Sequence, residues 1–263
     1  MTTTLNWSLK QTRIVCLLFV FAIVYANALF AQSKDKFEFG ASVSLGTGSA
    51  ILTSEAYKQY TDTMKCANGM HLNKGANIWF DVLLSKKTDL QMGLGFQQIG
   101  FARTQTGLNF KNYTYPGIGT GRIEDLSNTV KEITYNYRFS YLQFPFILNT
   151  NIGRSGNFKW ISHFSVGITP QILMKHQLVA ICNPGFSIEG KSQFKLDSSG
   201  FDGRILSLSI HAGFNFEYRA AKNKIYFFQP MLGFYPLSVS KTSNAAYPIF
   251  AGMNVGVLLS NFE

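Results

Sequence analysis

Across residues 204–219 every second position is apolar: Leu206, Leu208, Ile210, Ala212, Phe214, Phe216 and Tyr218 alternate with Ser207, Ser209, His211, Gly213, Asn215 and Glu217. A strand separates two such sets completely onto its two faces, whereas a helix would scatter both around its circumference. The same alternation runs through residues 37–46, 75–85, a segment beginning at Leu90, and residues 131–150, 158–175, 224–237 and 247–260. With 204–219 these make eight predicted strands.

The connections then decide the architecture. Only residues 86–89 separate the second strand from the third, 151–157 the fourth from the fifth, and 220–223 the sixth from the seventh. The intervening connections, 47–74, 104–130 and 176–203, are long, and 238–246 is the shortest of that set. Strict alternation of short and long connections predicts an all-β fold, an eight-stranded antiparallel transmembrane up-and-down β-barrel with short periplasmic turns and long extracellular loops. An even number of strands also returns both ends of the barrel to the periplasmic side.

Two neighbouring strands change phase. In the third, Leu90, Met92, Leu94 and Phe96 give way to Ile99 and Phe101 on the other parity. In the fourth, Tyr135, Tyr137, Phe139 and Tyr141 share one parity, and Leu142, Phe144, Phe146 and Leu148 share the other. This predicts β-bulges, or an upper part of the barrel standing clear of the lipid. Pro145, Pro170, Pro230, Pro236 and Pro248 fall within or beside predicted strands, where a missing N–H interrupts a ladder.

Composition sharpens the choice between a membrane barrel and a secreted soluble domain. Charged residues are 14% of the chain and aromatic residues 15%, with 23 glycines; soluble domains carry about 25% charge. Near the N-terminus, Lys10 and Arg13 precede an uncharged apolar run over 14–25, followed by the small residues Ala26, Ala28 and Ala31. The run is short of the roughly 20 residues that span a bilayer, so residues 1–31 read as a signal peptide, cut after Ala31 or Ala28. Residues 32–263 then form the barrel domain, placed in the cell outer membrane after export. The formal net charge is +10, and the predicted short turns and ends carry eight Lys or Arg against two Asp. That basicity is spread over separate turns, so it does not read as a nucleic-acid surface.

Candidate chemistry is sparse. The predicted inward face carries Glu38, Asp81, Arg138, Lys159, His163, His211 and Glu217. A barrel of eight strands is just wide enough to be filled by side chains, so these residues are expected to neutralise one another in a closed polar lumen. A narrow passive channel for small solutes is the alternative. An outer-membrane lipid hydrolase or acyltransferase comes third: Ser209 with His211, and His163 with Ser165, share a face, and Glu217 shares the parity of His211. Alternation in a serine-rich strand produces such pairs by chance, and no distinguishing motif accompanies them. Phosphate-binding loop, HExxH and metal-spaced Cys/His patterns are all missing, so no enzyme, cofactor or metal is expected. Cys66 and Cys182 fall in the first and third long loops. In an oxidising compartment they either pair across the barrel mouth or remain two unrelated thiols. Outer-membrane lipid is the expected environment, and the loops are the expected place for binding.

The segment Ser140-Tyr141-Leu142-Gln143-Phe144-Pro145-Phe146-Ile147-Leu148 resembles the Tyr-Leu-x-hydrophobic-Pro-hydrophobic strand of PorT-like outer membrane β-barrel proteins. Residues 37–42 (FEFGAS) and 251–256 (AGMNVG) are similar to that family's first and last strands. The resemblance spans nearly the whole mature chain and implies an eight-stranded barrel in the outer membrane of a Gram-negative bacterium. For partners it implies secretion-apparatus or other cell-envelope proteins, and for function a structural, interaction or secretion-accessory role.

Overall fold

A computed structural model describes residues 37–53, 66–106, 132–154, 159–182, 193–196, 203–221, 223–241 and 245–260. The expected signal peptide, residues 1–31, lies outside the described residues. Among those described there are eleven strands: β1 Phe37–Thr53, β2 Cys66–Gly69, β3 His71–Leu83, β4 Thr88–Thr106, β5 Glu132–Gln143, β6 Phe146–Arg154, β7 Trp160–Cys182, β8 Gln193–Leu196, β9 Leu206–Ala221, β10 Lys224–Phe234 and β11 Ala245–Ser260. β2 and β3 are successive parts of one stave, as are β5 and β6, and β8 is an extra strand beside the far end of β7.

The remaining pairings close a ring of eight antiparallel staves. β1 pairs with β3, β3 with β4, β4 with β5 and β6, and these with β7. The ring continues from β7 through β9 and β10 to β11, which pairs back with β1 over sixteen residue pairs. Closure leaves no open edge in the lipid-facing part of the ring, as a strand structure in lipid requires. No helix among the described residues is long and apolar enough to cross a membrane.

Over much of the wall the faces are inverted relative to a soluble protein. Phe39, Val43, Ile78, Phe80, Phe96, Phe164, Val166, Phe214 and Phe228 point outward and are exposed. The alternating residues Ser42, Asn77, Asp81, Gln91, Asn149, His163, Ser165, Asn215 and Glu217 are buried in the lumen. An apolar exterior is stable against hydrocarbon, so this band is the transmembrane part.

Toward the long-loop end the arrangement reverts. Ala50, Ile99, Phe101, Phe139, Tyr141, Leu173, Tyr235, Val239 and Ala246 form a buried apolar cluster across the lumen. Phe101 stacks on Tyr137 at 4.7 Å between ring centroids. The phase changes in the third and fourth predicted strands are this reversion. β4 and β5 keep one unbroken register from Gly95↔Gln143 to Thr106↔Glu132, and odd-numbered residues face inward throughout. What switches is which parity is apolar. A bulge is also present on the neighbouring stave, where Ser140↔Lys175 is followed by Tyr141↔Leu173 and Met174 is skipped.

The strands therefore reach further than expected. β1 continues to Thr53 rather than 46, β4 to Thr106 and β7 to Cys182, while β2 and β3 start well before 75. The alternation signal fades where the outward face ceases to be apolar, but hydrogen-bonded pairing continues into the aqueous part of the barrel. The prolines are absorbed locally. Pro145 divides β5 from β6, yet its carbonyl accepts from Gly93 N at 2.9 Å, so the stave keeps its register. Pairing between β9 and β10 is interrupted at Gln229 and Pro230 and resumes at Met231↔Gly213.

Candidate functional site

The polar side chains concentrate at the short-turn end. β1, β3, β4, β7 and β9 bring Glu38, Asp81, Asp89, His163 and Glu217 to a cavity of about 610 Å³, with Lys86, Lys87 and Arg219 at its mouth. Inward parity explains their convergence: Asp81 follows Asn77 and Trp79 on β3, and His163 and Glu217 precede Ser165 and follow Asn215.

His163 lies between two carboxylates, with Nδ1 3.5 Å from Asp89 Oδ1 and Nε2 3.5 Å from Glu217 Oε2. Both acids are held from outside the histidine. Asn149 Nδ2 donates to Asp89 Oδ2 at 2.8 Å, and Ser165 Oγ donates to Asn149 Oδ1 at 2.6 Å. Asn215 Nδ2 donates to Glu217 Oε1 at 3.0 Å. Buried charge is costly unless paired and hydrogen-bonded, and these bonds supply much of that compensation.

Above this cup lies an amide layer. Gln143 Nε2 donates to Asn77 Oδ1 at 2.6 Å, and Asn254 Nδ2 to Gln229 Oε1 at 3.0 Å. Tyr235 Oη donates to Gln171 Oε1 at 3.0 Å, joining this layer to the apolar cluster above it. His211 is buried here, and its ring occupies the space that a side chain on Gly167 would need. The void it lines holds only about 30 Å³, room for one or two waters.

The structure thus brings Glu38, Asp81, His163 and Glu217 together and leaves His211 in a separate, deeper layer. Two expected lumen residues are elsewhere. Lys159 is exposed at the foot of β7, where its carbonyl accepts from Arg219 N at 2.8 Å. Arg138 lies between the inward Tyr137 and Phe139, so alternation turns it outward, and its Nε donates to His71 Nε2 at 3.2 Å. Its inward assignment assumed that the apolar parity of β5 was the lipid side, which holds only below Tyr141.

The Cys66–Cys182 bond is also corrected. Cys182 is a buried free thiol. Cys66 pairs with Gln105, Gln105 with Ile133, and Ile133 with Cys182. Three strand steps of about 4.8 Å separate them along the wall, well beyond the ~7 Å Cα limit for a disulfide. Burial raises the Cys182 thiol above its ordinary value.

The residue most clearly missed was Asp89, read as part of a turn. It shares its parity with Gln91, Gly93 and Gly95, and starting the strand at Thr88 would have placed it in the lumen. Neither serine singled out for catalysis bonds to its histidine in the hydrogen bonds described: Ser165 donates to Asn149, and Ser209 accepts from Gln171 Nε2 at 3.5 Å. Among the described residues no group of three or more His, Cys, Asp or Glu is placed to hold a metal ion.

No family model matches the chain, and no curated protein matches it. Several solved barrels are similar in outline. The outer membrane protein OprG from Pseudomonas aeruginosa is 9% identical, with 87% of this chain and 97% of that one covered, at a TM-score of 0.40. Neisserial surface protein A is 9% identical over 84% and 96% of the two chains, at 0.38. The outer membrane protease OmpT from Escherichia coli is 10% identical over 87% and 97%, at 0.35. Likenesses of this size carry no functional argument. From its own closed ring and inverted faces, the chain is an eight-stranded transmembrane β-barrel.

Proposed function

We propose that this protein is a non-enzymatic outer membrane β-barrel of the PorT-like kind, acting through its loops and wall as an interaction or secretion-accessory component. The observation that carries this reading is the filled lumen. A cavity at the short-turn end gives way to hydrogen-bonded amides, then to an apolar cluster built around Phe101, Phe139 and Tyr141. A path for solutes needs continuous water, and an apolar plug opposes it. Placing the long loops outside and the short turns in the periplasm follows the rule for such barrels.

The test is to cross-link the protein in native outer membranes, extract it in mild detergent and identify what accompanies it. Specific recovery of secretion-apparatus or other envelope subunits is the expected result. Recovery alone, together with unitary conductance steps in planar bilayers, would overturn this reading in favour of a narrow channel.

A further inference from the structure

On four neighbouring staves the outward apolar run is interrupted at one ladder row, and on β3 the exposed Leu72 follows beyond it. Ile78 and Ala76 on β3 lead to Lys74, Phe96 on β4 to Gln98, Leu142 on β5 to Ser140, and Met174 on β7 to Lys175. These four residues are in register: Lys74 pairs with Gln98, Gln98 with Ser140, and Ser140 with Lys175. Lys74 and Lys175 are exposed. One outward position beyond Ser140, Arg138 faces out over Gly100, its ladder partner.

The described carboxylates lie away from this row. Four of the five described carboxylates, Glu38, Asp81, Asp89 and Glu217, line the cavity at the opposite end of the barrel. The fifth, Glu132, is six residues beyond Arg138 along β5. No described carboxylate stands on this stretch of the outer wall. His71 is a partner to Arg138 rather than a further charge. Its Nδ1 lies 2.8 Å from Leu72 O, as expected of a donor, which leaves Nε2 to accept from Arg138. That contact uses one of the five N–H groups of the guanidinium.

We propose that Lys74, Arg138 and Lys175 form a binding site for the phosphate groups of a membrane glycolipid packed against the long-loop end of the barrel. This rests on the reading that the long-loop end faces the outer leaflet. Lys and Arg side chains at an apolar boundary extend toward the headgroup layer, where anionic groups gather around them. Three strand steps put Lys74 and Lys175 about 14 Å apart along the wall, with Arg138 between them and about 7 Å further out. A row that wide spans a headgroup with more than one phosphate, not a single small ion. The apolar side chains immediately below, Ile78 and Phe96 among them, are exposed to take the acyl chains of the same molecule. Free phosphate would gain the charge contacts without that apolar contact.

The test compares binding of bisphosphorylated lipid A, its dephosphorylated form and inorganic phosphate to the full barrel in neutral detergent, by native mass spectrometry. The proteins are the wild type, a Lys74→Gln/Arg138→Gln/Lys175→Gln variant, and a Lys86→Gln/Lys87→Gln control at the other end. Preference for the bisphosphorylated lipid should weaken about fivefold for each charge removed from the row and survive in the control. Equal binding of both lipids by the wild type, an unchanged preference in the triple variant, or full competition by inorganic phosphate would each overturn the site. Heat-modifiable gel mobility reports whether the triple variant is folded. If it is not, the single Lys74→Gln and Lys175→Gln variants, both at exposed positions, carry the test. Protease access to the long loops in intact cells checks the orientation separately, since binding in detergent does not depend on it.

Discussion

Phe96 and Phe101 lie five residues apart on one strand and face opposite sides of the wall. Phe96 points outward and is 48% exposed; Phe101 points into the lumen and is 1% exposed. Below the row from Lys74 to Lys175 the barrel keeps its polar groups inside and its apolar groups outside. Above it, the same staves enclose an apolar core; β5 carries Arg138, Asn136 and Thr134 on its outer face, with Leu72 on β3 and Ile181 on β7 still exposed. Backbone hydrogen bonding continues through the change, so the two regions differ only in what surrounds them. Against hydrocarbon nothing is gained by hiding a phenylalanine; against water its burial stabilises by about 2 kcal/mol or more.

The largest expected effect comes from the apolar cluster. Phe139→Ala should destabilise the barrel by about 3–5 kcal/mol in denaturant unfolding from lipid vesicles. Phe96→Ala, on the same sheet but facing lipid, should cost much less, because lipid fills the space left behind. Equal losses would break the distinction between the two regions. Next comes a charge on the outer face. Val166→Arg places a cation within the apolar band of β7 and should cost about 2–4 kcal/mol. Asn136→Arg, outward on β5 beyond the boundary, should be close to neutral in the same assay. A comparable cost at both would move the boundary outward.

The smallest effect is a pH dependence at the boundary itself. Burial, aided by the Arg138 charge and opposed by the backbone bond to Leu72, lowers the His71 pKa below its ordinary 6.5. The folded state therefore binds this proton less readily than the unfolded state. The contribution of His71 to stability is complete above about pH 6.5 and declines as pH falls through the lowered folded value. NMR titration of the His71 ring should give a midpoint below 6.5, and Arg138→Gln should raise it. A midpoint above 6.5 in the wild type would mean that the ring is charged and that the Arg138 contact is not the one described.

How much was legible varied with the kind of signal. The alternation from Leu206 to Tyr218 identified β9 to within two residues at each end and placed His211 and Glu217 inside. The same parity argument put Glu38, Asp81 and His163 on the inward face, and the structure brings them to one cavity. It failed at Arg138 because it assumed that the apolar side of a strand faces lipid along the strand's whole length. It failed at Lys159 because parity says nothing about where the wall ends. The disulfide between Cys66 and Cys182 failed for a different reason. Loop membership does not reveal that three strand spacings intervene.

Alternation and connection lengths, both local properties, were sufficient to determine an eight-stranded antiparallel barrel with one lipid-facing side. Periodicity two and turn spacing are written directly into neighbouring residues. Only the tertiary structure decided where along the staves the inward parity turns apolar, that Asp89, His163 and Glu217 meet, and that Phe101, Phe139 and Tyr141 are buried together inside the ring. Those depend on register between strands far apart in the chain, Glu38 and Ser260 being paired across 222 residues, and register is a property of the closed ring, not of any one segment.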